Sequence, residues 1–304
     1  MTMPAESIKS FSPKVQQLWA LMNPCMLCPR KCRVERSPST TLGTGKSELG
    51  FCGIGDMSVV NSQGPHFGEE SVLVGSGGSG TIFFAGCNLG CVFCQNYDIS
   101  HFRHGRPITI SELAKFMLDL QSYGCSNVNF VTPTHVAPAV AASIETARKR
   151  GLKLPTVYNC GGYDSVETLQ LLEGSIDIYM PDIKFADSKI ADELAKAPDY
   201  PEVCFSVVKE MHRQVGDLQI NEKGLATRGL LVRHLVLPNE VAGSFKVIDF
   251  LAEQVSPKTA INVMDQYRPC FKANEHPNIN RRPTTDEVEQ VLKYAVKKGL
   301  RVIN

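Results

Sequence analysis

Between Thr81 and Met264, six short apolar runs alternate with longer stretches of helical spacing. The runs cover residues 81–85, 127–132, 154–159, 176–180, 230–236 and 260–264, and their β-branched and aromatic content suits strands. Segments 111–123, 138–150 and 244–255 lie between them and repeat apolar residues at helical intervals. Parallel strands cannot be joined by tight turns, and this alternation supplies the crossovers they need. The pattern predicts an α/β chain whose parallel sheet curls into a closed or partial (β/α)6, TIM-like barrel. The last helix is the most sharply marked. Thr284 and Glu287 suit a capping box, Val288, Val291, Leu292 and Ala295 form one stripe, and Lys293, Lys297 and Lys298 precede Gly299. Before Thr81 the pattern changes to a short helix over 15–22 and short strands over 58–61 and 71–75. Residues 1–75 therefore read as an N-terminal, cysteine-rich appendage and residues 76–304 as the core barrel.

The chain carries eleven cysteines, and seven of them fall into two groups: Cys25, Cys28, Cys32 and Cys52, then Cys87, Cys91 and Cys94. Cys125, Cys160, Cys204 and Cys270 are scattered. The first 23 residues lack the apolar stretch of an export signal, and no segment reaches the length of a membrane span. A cytoplasmic protein is expected, and clustered cysteines in a reducing compartment point to metal rather than disulfides. Lys and Arg number 32 against 31 Asp and Glu, which leaves no basic excess for nucleic acid.

Cys87-x3-Cys91-x2-Cys94 follows directly on the first predicted strand, at the end where barrels carry their active sites. Three thiolates would hold three irons of a cubane and leave the fourth open to a ligand. With Phe93 before the third cysteine, and Gln95-Asn96-Tyr97 after it, the segment resembles the signature of the radical S-adenosylmethionine (SAM) superfamily. The likeness runs from about Gly80 to the end of the sequence and is strongest to the PflX-like group related to pyruvate formate-lyase activating enzymes. It implies a [4Fe-4S] cluster, SAM as cofactor, and reductive cleavage of SAM to a 5′-deoxyadenosyl radical that abstracts hydrogen. It further implies an electron donor such as flavodoxin or ferredoxin. The competing reading of the three cysteines is a structural zinc completed by His101 or His104, although zinc knuckles usually pair Cys-x2-Cys units.

The related activating enzymes carry Gly-Gly-Glu at the end of the second strand, whereas this chain reads Val131-Thr-Pro-Thr-His135. Thr132, Thr134 and His135 are the candidates to replace it, against a simple strand-ending turn. Asn159, Asp182, Lys184 and Arg233 fall where the family places polar groups near SAM or substrate. Tyr267 and Arg268 could reach a carboxylate, or serve only the rim. His66, Glu69 and Glu70 read as a solvated cluster. Cys160 reads as a small buried hydrophobe.

Cys25-x2-Cys28-x3-Cys32 and Cys52 offer four thiolates, enough for a second metal centre, either zinc or [4Fe-4S]. Gly75–Gly80 reads as a flexible entry to the first strand, and Gly45-Lys46-Ser47 lacks the first glycine of a phosphate loop. Three functions compete on these grounds. One is activation of a glycyl-radical enzyme, a protein substrate; the second is radical chemistry on a small molecule or another protein; the third is a non-catalytic iron-sulfur electron carrier.

Overall fold

The computed structural model describes residues 8–36 and 49–303. The rejected Gly45-Lys46-Ser47 motif lies outside the described residues. The sheet begins with β1 (Ser58–His66), β2 (Ser79–Phe84) and β3 (Arg106–Ile108). It continues through β4 (Val128–Val131), β5 (Thr156–Cys160), β6 (Ile178–Pro181), β8 (Ala226–Leu235), β9 (Ala260–Met264) and β10 (Arg301–Val302). β7 (Gln219–Ile220) pairs only on β8. The spatial order is β10-β9-β8-β6-β5-β4-β2-β1-β3. β2, β4, β5, β6, β8, β9 and β10 run parallel, and β1 returns antiparallel on β2. The six predicted runs correspond to β2, β4, β5, β6, β8 and β9. The barrel is partial, because β3 and β10 remain opposite edges.

Strand pleating sorts the side chains onto two faces. Phe130, Tyr158, Tyr179, Leu230 and Val232 join the larger core, where helices cover the outer face. Val157, Ile178, Met180, Leu231 and Ala260 pack together on the inner face, where Val72 and Leu73 join them. These last two belong to α2 (Ser71–Val74), a single helical turn where the sequence suggested a strand. Three apolar residues in a row at 72–74 do not distinguish the two, and packing into the barrel interior decides for the turn.

The outer layer contains α4 (Ile110–Ser122), α5 (Ala137–Lys149) and α6 (Val166–Leu172), with α1 (Pro13–Ala20) beside the last two. It continues through α7 (Ser188–Ala195), α8 (Tyr200–Val215), α9 (Ser244–Phe250) and α10 (Thr285–Lys297), while α3 (Tyr97–Ser100) follows the cysteine loop. The Thr284–Glu287 capping box forms as expected, and Thr109 and Glu112 make a second one on α4. Segment 75–80 is no flexible entry. A Cβ on Gly77 would strike the Gly124 carbonyl, so glycine is needed there for close backbone approach. The N-terminal segment is fastened to the barrel: Val15 and Leu18 are buried in the main core, and Thr168 donates to the Leu27 carbonyl at 2.8 Å. Among the described residues no helix is long and apolar enough to cross a membrane.

Candidate active site

β2 ends at Phe84, and two residues later Gly86 has a φ of 82° that favours glycine. A Cβ there would lie 2.6 Å from Ile54 Cγ1 and 2.8 Å from the Cys52 carbonyl, so the two cysteine regions are in direct contact. The following loop is pinned from several sides. Asn88 Nδ2 donates to the Tyr163 carbonyl at 2.5 Å, Val92 N–H to Leu194 O at 2.9 Å, and Lys272 N–H to Val92 O at 2.8 Å. Phe93 is buried edge-on against Phe185 and Tyr267 at centroid distances of 6.0 and 5.8 Å.

This loop forms one wall of a cavity of about 250 Å³ that reaches Cys87, Cys91, Phe93 and Cys94 on one side and Asp182, Lys184 and Arg233 on the other. Thr132 and Asn159 also line it. Burial, and the neighbouring Cys91 thiol, push Cys87 up to about 12. Burial does the same to Cys91, to about 12, despite the opposing pull of Lys184. Thiols so placed ionise when a positive centre binds them, which is the chemistry of an iron or zinc ligand.

Opposite the cysteines, Asp182 Oδ2 accepts from Lys184 Nζ at 2.7 Å and Oδ1 from Arg233 Nε at 2.7 Å. Burial works against its ionisation, but Arg233 and Lys184 outweigh burial and hold it down to about 2. Arg233 also donates through Nη2 to Asn159 Oδ1 at 2.7 Å. Asn159 thus keeps its amide NH2 as a donor. Thr132 adopts φ 62°, a left-handed conformation unusual for a β-branched residue, and its N–H donates to Asn159 O at 2.8 Å.

Two of the residues proposed to replace Gly-Gly-Glu lie elsewhere. Thr134 and His135 are buried in a 3-10 turn and do not line the cavity. His135 Nε2 meets the Ala85 carbonyl at 2.8 Å, and Thr134 lies beside the buried Asp164. Their apolar-facing turn packs inward, and only Thr132 faces the opening. Tyr267 is likewise in the core, its hydroxyl donating to Ile279 O at 2.7 Å, and Arg268 is exposed outside the cavity. Cys160, Met264 and Gln266 do line it. Strand-end position was the only signal that could have found them. His101 Nε2 contacts the Cys91 carbonyl rather than sulfur, at 3.1 Å, and the His104 ring packs on Phe102. The expected solvated cluster at Glu69 and Glu70 is buried instead, with side chains 8% and 3% exposed.

Cys25, Cys28 and Cys52 are buried around Arg36, whose Nη2 donates to Cys52 Sγ at 3.3 Å and whose Nη1 donates to His135 O at 2.6 Å. Cys32 Sγ accepts from the Phe51 N–H at 3.4 Å, beside Cys52. Burial pushes Cys28 up to about 12. Among the described residues no three His, Cys, Asp or Glu converge closely enough for one metal ion. Cys87, Cys91 and Cys94 on one loop match the donor set of a [4Fe-4S] cluster, in which one thiolate binds each of three irons.

The Radical SAM superfamily profile matches residues 81–252, more than half of the chain. The chain belongs to the radical SAM superfamily, and is therefore an enzyme of that class, for which a [4Fe-4S] cluster and SAM are implied. A Methanocaldococcus jannaschii protein described as uncharacterized is 35% identical over 300 residues, covering 95% of this chain and 79% of that protein. A domain of pyruvate-formate lyase-activating enzyme from Bacteroides vulgatus aligns at TM-score 0.42 and 14% identity, over 58% of this chain and 97% of that one. Streptococcus suis SuiB bound to S-adenosylmethionine aligns at TM-score 0.48 and 14% identity, over 71% of this chain and 47% of that one. This chain thus spans less than half of SuiB.

Proposed function

We propose that Cys87, Cys91 and Cys94 hold a [4Fe-4S] cluster, and that Phe93, Thr132, Asn159, Asp182 and Arg233 form the wall that receives SAM. The supporting observation is the single cavity that joins all three thiols to the Asp182–Lys184–Arg233 cluster. Those three thiols would hold the cluster, whose chemistry when bound would be one-electron reductive cleavage of a carbon–sulfur bond of SAM for hydrogen abstraction.

The chain's own residues bind and orient. Lys184, held by Asp182, sits close enough to Cys91 to favour its thiolate form. Asp182 and Arg233 fix one another, and Arg233 fixes the Asn159 amide with its donor free for a carboxylate. Phe93, Leu89 and Leu235 exclude water from the thiol wall. No side chain has to move a proton for the first step.

For the substrate, two readings stand. The glycine α-hydrogen of a partner enzyme is one. Hydrogen abstraction from a small molecule or another protein side chain is the other, and a second cavity beyond Arg233 supports it. A flavodoxin or ferredoxin would supply the electron in the cytoplasm. Residues 1–75 would be an appendage to a 76–304 core, carrying a second [4Fe-4S] or zinc at Cys25, Cys28, Cys32 and Cys52. The test is 5′-deoxyadenosine formation by anaerobically reconstituted, chemically reduced protein. Cys87, Cys91 and Cys94 replaced together by Ala should abolish it, and retained product would sink the assignment.

A further inference from the structure

The cysteine loop is covered from outside the cavity by aromatic and basic side chains. His101 Nε2 meets the Cys91 carbonyl at 3.1 Å, the Lys272 N–H donates to Val92 O at 2.8 Å, and Arg30 Nε donates to Asn88 O at 2.9 Å. Lys196, just past α7, lies over Gly90, where an added Cβ would come within 3.2 Å of its Cδ. These four residues do not line the cavity, yet each touches the loop that carries the thiols. A reductant can therefore reach the loop from this side without displacing what the cavity holds.

The aromatic part of the cover is contiguous. Phe271 stacks on Tyr97 at a centroid distance of 5.3 Å and packs on His101 at 4.6 Å, and Phe102 meets Tyr97 edge-on at 5.7 Å. Phe102 is 56% exposed. Lys272 Nζ stands 5.7 Å from the Phe271 ring centre, within reach of a cation–π contact. The charges that act on the His101 ring are those of Lys196, Arg103 and Lys272, all positive, and all three side chains belong to exposed residues. Asp98 is the one acid in residues 95–104, residues 268–272 contain none, and Glu193 beside Lys196 is engaged by His276 at 2.9 Å. In a chain of 32 basic and 31 acidic side chains this is a local excess, not general basicity. Single exposed aromatics are ordinary, whereas an aromatic cluster ringed by cations has the make-up of an interaction site for an acidic partner.

We propose that this patch docks an acidic flavoprotein electron carrier, whose carboxylates meet Arg30, Arg103, Lys196 and Lys272 and whose exposed flavin edge meets Phe102, Tyr97 and Phe271. The inference rests on the radical SAM reading: one electron leaves the reduced flavin for the cluster held by the loop, and no atom is exchanged. The aromatic centre singles out a flavin, a planar apolar ring, over an acidic carrier whose redox group is an iron–sulfur cluster. Encounters between redox proteins bury less than about 1,200 Å², so a few cations around one aromatic cluster suffice.

Biolayer interferometry with oxidised flavodoxin on the full-length, anaerobically reconstituted protein tests it, with a [2Fe-2S] ferredoxin and α-lactalbumin as acidic comparators. Flavodoxin should bind at about 0.01 M ionic strength, where charges act over about 30 Å, and at least about tenfold more weakly at about 0.15 M, where they act over about 8 Å. Lys196→Glu/Lys272→Glu should weaken it at least about tenfold at the lower ionic strength and keep the wild-type affinity for SAM. Phe102→Ser should weaken it while leaving the salt dependence unchanged. Lys196→Gln/Lys272→Gln removes the same charges and serves if the reversed variant misfolds. Absent flavodoxin binding, undiminished binding in the charge variants or in Phe102→Ser, or binding of either comparator as tight as that of flavodoxin each overturns the proposal. Docking needs no turnover, so a failed radical SAM reading shows separately, as absent 5′-deoxyadenosine from chemically reduced wild-type protein.

Discussion

Arg233 on β8 and Asp182 just past β6 form a backbone bridge across the parallel sheet, and their side chains close it with an Nε–Oδ1 hydrogen bond of 2.7 Å. Both side chains are largely buried, at 16% and 17% exposure. Arg233→Met would leave Asp182, Glu69 and Glu70 in the barrel with Lys184 as the remaining buried cation. Breaking such a group by removing one partner costs about 3–5 kcal/mol. Urea denaturation should show a loss of that order for Arg233→Met and a smaller one for Asp182→Asn, which leaves two carboxylates, Glu69 and Glu70, against two cations, Arg233 and Lys184.

His234 gives the fold a pH dependence. It is fully buried, with Nδ1 at 2.7 Å from Ile183 O and Nε2 at 2.8 Å from Ser244 Oγ, and burial lowers it to about 4. An imidazole depressed in the folded state binds its proton first in the unfolded one, near pH 6.5. Its stabilisation is therefore complete above that value and declines as pH falls toward about 4. Urea midpoints at pH 7.0, 5.5 and 4.5 should fall in that order. His234→Gln should flatten the slope while lowering stability at pH 7, and an unchanged slope would reject this cause.

Thr132 should trade stability for binding. Its φ of 62° costs a residue with a branched Cβ roughly 1–2 kcal/mol, and it lines the thiol cavity. Thr132→Gly should leave stability level or raise it by up to about 1 kcal/mol, glycine's unfolded-state entropy offsetting part of the relief. SAM affinity, measured by equilibrium dialysis, should weaken in the same variant. Intact affinity would remove Thr132 from the proposed SAM wall.

The N-terminal cysteines should bind metal independently of the loop. In protein with Cys87, Cys91 and Cys94 all changed to Ala, an N-terminal cluster predicts about four irons and four sulfides per chain, and zinc predicts a colourless single equivalent. Neither metal after reconstitution would mean that Cys25, Cys28, Cys32 and Cys52 are not a metal site. Replacing these four by Ala should destabilise the docking of residues 13–36, because Arg36 would lose its sulfur partners and remain buried.

Two kinds of information were legible to different degrees. The strand–helix alternation, the Thr284–Glu287 cap and the placement of the Cys87 loop after β2 could be read directly, since each depends on residues close in sequence. Thr134, His135 and Tyr267 turn into the core rather than the cavity, since neighbouring residues at a strand end can face either way. Local sequence does not reveal which. The Glu69–Glu70 pair was misread for the opposite reason: two acids at a turn look solvated until another element covers them.

The sequence by itself determined the α/β alternation, the superfamily signature at Cys87, Cys91 and Cys94, and the presence of a second cysteine group. Periodicity and ligand spacing are local properties, so no distant contact is needed to read them. Only the tertiary structure decided that Asn159, Asp182 and Arg233, from three different strands or strand ends, meet in one hydrogen-bonded cluster. It also decided that β9 and α10 close over Glu69 and Glu70, almost two hundred residues earlier in the chain, as the Asn262–Glu70 separation of 192 residues records. The physical reason is that burial and charge balance arise from which elements pack together, and desolvation acts on a carboxylate only after the chain has folded around it.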